Sequence, residues 1–206
     1  MEDYLRTITL GAFTWKDKDR INLFFAHVRN QRAFWLLLHF LLLTLCLSFP
    51  VTFAVARLEP FELYNRLYGA NFFPALPEAA RVFLSEGSTI EDTVIDQGAI
   101  DGFNMFMYAN GYGRNVVLPL LGLTLGLTFI IQSVFYLCAA FFLGLSRINA
   151  SPLLFRDRLG LAIYSSTLPG LAATLFGLAL PTVHFIVFYF IVIFIIFQRS
   201  TSCQNG

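Results

Sequence analysis

Residues Leu159 to Leu180, LGLAIYSSTLPGLAATLFGLAL, constrain this chain more than any other stretch. About 20 predominantly apolar residues, at about 1.5 Å rise each, cross the hydrocarbon core of a bilayer, and this run is long enough to do so. Within it Ala162, Ser166, Gly170 and Thr174 recur at every fourth position, with Ala173 and Gly177 beside them. Lipid gives no hydrophobic drive between helices, so membrane bundles are held by close backbone approach over small residues. The stretch is therefore expected to be the central helix of a bundle, with Ala162, Ser166 and Gly170 as its packing seam.

Composition supports a membrane chain. Of 206 residues 57% are hydrophobic and only 13% charged, whereas a soluble domain carries about 25% charged residues. The 24 Phe residues fit the same class, since large apolar side chains can face lipid. Net charge is +1 and no polybasic run occurs, so nucleic acid is not an expected partner. Cys46, Cys138 and Cys203 are far apart and lack metal-ligand or CxxC spacing, which reads as inert thiols, with no metal or cofactor. The expected fold class is an all-α membrane protein: a four-helix transmembrane bundle with an N-terminal amphipathic helix and a small extracytoplasmic cap.

In chain order, residues 1–32 form an amphipathic cytoplasmic segment. Thr14 is its helix cap, Asp17 completes an approximate capping box, and Ile21, Phe24, Phe25 and Val28 share one face. That face suits either the lipid headgroup region or the bundle's own cytoplasmic end. Residues 33–55 are the first span, with Pro50 near its far end. Ala54-Val55-Ala56 resembles a signal-peptidase site, but the long charged segment before it favours an uncleaved anchor. Residues 56–115 are the acidic cap, with short helices expected at 61–68 and at 78–84 after Pro77, and breaks at Gly87-Ser88, Gly98 and 110–113. Eight acids there face Arg57, Arg66, Arg81 and Arg114.

Residues 116–146 are the second span, longer than a perpendicular crossing needs. Its Gly122 and Gly126 form a GxxxG expected to seat the central helix. A cytoplasmic connector at 147–158, the central span at 159–180, a lipid-facing fourth span at 181–198 and a polar tail at 199–206 complete the chain. Lys and Arg number six in 1–32, three in 147–158 and one in 198–206. With four spans these segments share one side, so the positive-inside rule puts both termini in the cytoplasm. The turn at Leu180-Pro181 is tight. If Pro169-Gly170 were instead the turn of a re-entrant hairpin, the tail would leave on the opposite side.

Candidate chemistry is sparse. His39 and His184 are the ionisable groups deepest in the spans, and intramembrane ionisable groups are functional candidates by default. With Gln132 they define a candidate polar pathway. The bland reading is interhelical hydrogen bonding, since no acid lies in a span to pair with them. Ser165, Ser166 and Thr167 precede Pro169, whose missing donor frees the carbonyl of Ser165, so a kink is expected rather than a catalytic serine. No GxSxG, HExxH or intramembrane Asp pair is present, and no enzyme is expected. Arg156, Asp157 and Arg158 form an interfacial cluster suited to lipid phosphate or a partner's acidic loop, or to marking the start of a helix. Asn149-Ala150-Ser151 matches a glycosylation acceptor that the cytoplasmic side would leave unused.

The amphipathic start YLRTITLGAFTWKDKDRINLFFAHVRNQR leads into a span closing on SFP, and the later signature is FRDRLGLAIYSSTLPGLAATLF. In these segments the chain resembles a bacterial integral-membrane family of unknown function. Some of its members are labelled maltodextrin-utilisation proteins, and it is distantly similar to the Yip/Yif membrane-protein group. The resemblance implies a multi-pass protein of the bacterial inner membrane, with no catalytic residues to carry over. The expected function is that of a non-enzymatic accessory or scaffold protein, contacting membrane lipid and a membrane-protein partner or a second copy of itself. The alternative is a small-solute transporter or transporter subunit, with a path past His39, Gln132, Ser166 and His184.

Overall fold

The computed structural model describes residues 1–13, 18–68, 97–145, 154–181 and 183–204. Of these, 92% are helical and none is in a strand. The helices are α1 (Glu2–Phe13), α2 (Lys18–Asn30), α3 (Ala33–Arg57), α4 (Pro60–Tyr68), α5 (Gln97–Ala109), α6 (Leu118–Leu145), α7 (Phe155–Ser165), α8 (Thr167–Ala179) and α9 (His184–Gln204). A π-helical turn at Gly113–Val117 opens α6.

Three stretches among the described residues are long and apolar enough to cross a membrane: Ala33–Arg57, Gly113–Gly144 and Phe155–Ala179. The apolar part of α9, His184–Ile195, is shorter. The first stretch starts at Ala33 as expected and ends at Arg57, two residues beyond the expected 55. The second of these stretches starts earlier than expected, at Gly113, and the third begins at Phe155 inside the expected connector. Thr14 and Asp17, the expected cap of the amphipathic helix, and the helix expected at 78–84 lie outside the described residues.

The chain divides into two compact units. The first comprises Met1–Val51 and Thr124–Gly206. Its hub is α7–α8: 61% of the most apolar window of Phe155–Ala179 is buried, against 39% in Ala33–Arg57 and 22% in Gly113–Gly144. Every residue from Gly160 to Thr167 is buried. Small side chains make this possible. A methyl group on Gly160 would come within 2.7 Å of Val28 on α2, and one on Gly170 within 2.9 Å of Leu43 on α3. At Gly177 it would meet both Pro50 of α3 and His184 of α9 at 2.8 Å.

The amphipathic N-terminal segment packs on this hub. Ile21, Phe24 and Val28 are buried, and Tyr4, Phe24, Val28, Leu161 and Tyr164 form one core. Of the two environments open to the apolar face of α2, the helix occupies the one against its own bundle. The segment holds an additional helix, α1, ahead of α2. Its signal was the spacing of Tyr4, Thr7 and Gly11, which places an aromatic, a hydroxyl and a glycine on one helical face. Gly11 accepts close approach there, since a methyl group would sit 2.7 Å from the Tyr164 carbonyl oxygen.

The second unit, Thr52–Leu123, contains α4 and α5 around Leu63, Ala99, Phe103, Met107 and Tyr112. Pro60 takes the first helical position of α4, where its missing N–H costs nothing. Asn104 of α5 caps that helix from outside: its Oδ1 accepts from the Phe61 N–H at 2.8 Å, and its Nδ2 donates to Glu59 at 2.9 Å. The expected break at Gly98 is not there. Gly98 and Gly102 both lie within α5, because Ala99, Phe103 and Met107 present an apolar stripe that pairs with Leu63. The turn after α5 does fall at Asn110-Gly111, where Gly111 has φ +77°, a conformation other residues rarely adopt.

Candidate functional site

The inward face of α3 carries His39, Phe40, Leu43, Thr44, Leu47, Ser48 and Pro50. Polar contacts line it at three levels. At the first, His39 Nε2 lies 2.9 Å from Thr167 Oγ1 and His39 Nδ1 lies 3.1 Å from the Tyr4 hydroxyl. Thr167 spends its single hydrogen on the Tyr164 carbonyl at 2.8 Å. It must therefore accept from His39, which makes Nε2 the protonated nitrogen and Nδ1 the acceptor for Tyr4. Burial pushes the Tyr4 phenol up from its ordinary value, which keeps it a donor. The result is one directed chain, Tyr4 to His39 to Thr167 to the Tyr164 carbonyl. It ties α1, α3, α7 and α8 together, with the His39 ring stacked 4.8 Å from that of Tyr164.

The second level joins α3 to α6. Thr44 Oγ1 lies 2.9 Å from the Phe40 carbonyl and 2.8 Å from the Gln132 side-chain amide. One hydroxyl hydrogen serves one acceptor. The amide orientation in which Gln132 donates to Thr44 therefore satisfies all three groups and leaves the other amide atom without a partner. The hydroxyls of Tyr164 and Tyr189 are likewise buried without a hydrogen bond among the described residues.

The third level repairs the helix at Pro50. A proline inside a helix leaves the carbonyl four residues earlier without its donor, here that of Cys46. Thr174 Oγ1 of α8 lies 3.0 Å from that oxygen and 2.8 Å from the Gly170 carbonyl one turn back on its own helix, so its single hydrogen is shared between the two. One residue on, His184 of α9 reaches the Leu47 carbonyl with Nε2 at 2.9 Å, while its Nδ1 lies 2.6 Å from the Pro181 carbonyl. His39, Gln132 and His184 thus share the α3 face, but each has its own local partners. No hydrogen bond joins any two of them.

The hub is broken at Ser166 (φ −84°, ψ −3°), the single non-helical residue between α7 and α8. Its N–H turns to the Ile163 carbonyl at 3.1 Å, and its hydroxyl serves the Ala162 carbonyl at 2.7 Å. Pro169 is the third residue of α8, a position that needs no backbone donor. Pro169 and Gly170 are therefore inside a helix. The two helices α8 and α9 are separated by a turn in which the Val183 N–H meets the Leu180 carbonyl at 3.2 Å.

One expectation for the remaining candidates needs correction. Gly122 and Gly126 do not seat the central helix: both are exposed, and a methyl group on either would meet no described atom within 4 Å. The packed face of α6 is instead Thr128, Gln132, Tyr136 and Ala140, a four-residue repeat of buried side chains of mixed size. Its signal was the helical spacing of polar residues inside an apolar span. The Arg156, Asp157 and Arg158 cluster is engaged within the fold. Arg156 donates to the Gln31 carbonyl, Asp157 is buried 3.7 Å from Arg29, and the Arg158 guanidinium lies over Gly144 of α6.

Two clefts open on the first unit. One of about 340 Å³ is apolar and runs between α3, α6 and α7 past Leu37, Phe40, Tyr136 and Ile163. The other, of about 390 Å³, lies where α1, α2 and the start of α3 meet. Among the described residues no group of His, Cys, Asp and Glu side chains has a metal-binding arrangement. No protein-family model matches this chain, and neither does any curated protein or solved structure.

Proposed function

We infer that the chain is a non-enzymatic accessory or scaffold subunit of a bacterial cytoplasmic membrane, and that it docks a second membrane helix on α6. One observation carries this reading: α6 is the least buried of the three long apolar helices. Its Gly122 and Gly126, four residues apart, face open space. In a bilayer a small-residue face is where another backbone can approach closely. The partner is a membrane protein or a second copy of this chain. The bacterial setting rests on the family resemblance.

In this reading α9 is a fourth crossing that returns antiparallel to α8 through the turn at Leu180–Val183. Lys and Arg placement then puts both termini in the cytoplasm and the acidic segment 56–115 outside as a small cap. Gly126→Leu tests the docking surface. Having no neighbour within 4 Å, the new side chain should leave the thermal midpoint in detergent unchanged while abolishing copurification of the partner or self-association. An unchanged complex would contradict the assignment.

A second reading, a small-solute carrier, draws support from buried polar atoms of Gln132 and Tyr189 that lack partners among the described residues. Solute uptake by purified protein in liposomes, lost in Gln132→Leu, would favour it over the scaffold.

A further inference from the structure

We propose that the cleft between α1, α2 and the first turn of α3 binds the phosphoethanolamine headgroup of a membrane phospholipid. It measures about 390 Å³, within the range of about 300–1,000 Å³ usual for small-molecule sites. Its walls include Tyr4, His27, Asn30, Gln31, Arg32 and Trp35, with one acid, Asp3. Gln31 shapes the floor, since its amide donates to the Asp3 carbonyl at 2.9 Å and to Thr7 at 2.8 Å and so is already committed. The Trp35 and Tyr4 rings stack with centroids 4.8 Å apart, giving a fixed aromatic wall.

The remaining polar side chains are available. Those of Asp3, His27, Asn30 and Arg32 make no hydrogen bond or ion pair with another described residue. Arg32 presents a planar set of donors that matches phosphate, with Asn30 and His27 beside it. Asp3 offers the complementary charge. A purely anionic headgroup would leave that carboxylate facing phosphate. A headgroup carrying both phosphate and a primary ammonium neutralises both, the ammonium hydrogen-bonding to Asp3 against the aromatic wall. Position agrees: Arg32 immediately precedes the apolar run that begins at Ala33, and Trp35 lies in the first turn of α3. Arg and Trp at the end of a span sit at headgroup depth.

The proposal rests on α3 crossing the bilayer and is independent of a partner on α6, so Gly126→Leu serves as a control that must retain lipid. The experiment is native mass spectrometry of the full chain in mild detergent, titrated separately with dihexanoyl phosphatidylethanolamine, phosphatidylcholine and phosphatidylglycerol, and with chain-free glycerophosphoethanolamine. The expected result is a one-to-one adduct strongest with the ethanolamine lipid. It should be weakened on the order of tenfold by Arg32→Gln, the loss of one charge-assisted hydrogen bond. Asp3→Asn should move the preference toward phosphatidylglycerol. Both substitutions fall on exposed residues and should leave the lipid-free thermal midpoint unchanged, which separates lost binding from lost folding. Equal binding of all three lipids, an adduct indifferent to Arg32→Gln, or an Asp3→Asn variant with unaltered selectivity would overturn the assignment. Binding of glycerophosphoethanolamine as tight as that of the lipid would overturn the membrane source in favour of a soluble phosphoester.

Discussion

Glycines in this fold differ in what a side chain would meet, and that difference is measurable. A methyl group on Gly170 already falls 2.9 Å from Leu43, so Gly170→Leu forces overpacking, which usually costs about 1–3 kcal/mol. Its thermal midpoint in detergent should drop markedly, while that of Gly126→Leu should not move. Equal behaviour would mean that Gly170 does not face a neighbouring helix. Tyr112 offers a pH test. Burial first, then Tyr108 and Tyr64, pushes its phenol up to about 12. In the unfolded chain it ionises near its ordinary value of 10. Between these values the unfolded state holds fewer protons, so stability falls as pH rises through that window and the contribution is fully present below it. Tyr112→Phe loses only a long hydrogen bond of 3.4 Å to the Leu58 carbonyl. The stability difference between wild type and variant should therefore shrink from pH 10 to pH 12, followed by chemical denaturation; a constant difference would contradict it. At His39, Tyr4→Phe strips the donor from Nδ1, and a buried group left unpaired costs about 1–3 kcal/mol.

At the scale of the helix, α3 is held by repair of its own proline. Removing the hydroxyl in Thr174→Val takes from the Cys46 carbonyl a donor that it shares with the Gly170 carbonyl, and should destabilise the chain by about 1 kcal/mol. Pro50→Ala restores the N–H that this carbonyl lacks, so in that background the Thr174→Val penalty should nearly vanish. A double-mutant cycle on thermal stability measures the coupling, and additive penalties would sink the explanation. The central helix was legible in the sequence because its small residues recur with helical period over a span-length apolar run. The turn at Gly111 and the helix at Pro60–Tyr68 were legible from local chemistry. The seat on α6 was not, because a GxxxG marks only that a helix can be approached, not from which side. Thr128, Gln132 and Tyr136 gain meaning as a seam only when Thr44 and the hub are placed opposite. For the same reason Gly98 read as a break: glycine lowers helix propensity, but the stripe of Ala99, Phe103 and Met107 packs against Leu63 and overrides it. The cleft beside Arg32 needed three helices to exist at once, and no single segment announces it.

For the whole molecule, we propose that a small-residue hub, Phe155–Ala179, gathers α1, α2, α3 and α9 about it within a membrane, and that α9 completes a fourth crossing. Three long apolar helices are in hand, and the fourth decides the side on which the tail emerges. With four crossings both termini share one side of the membrane; with three they do not. The most direct measurement is cysteine accessibility in intact cells, with Cys46, Cys138 and Cys203 replaced and a single cysteine introduced as Ser88→Cys or Ser202→Cys. A membrane-impermeant maleimide applied from outside should modify the first variant and spare the second until the membrane is opened. Modification of Ser202→Cys in sealed cells would contradict the four-crossing bundle.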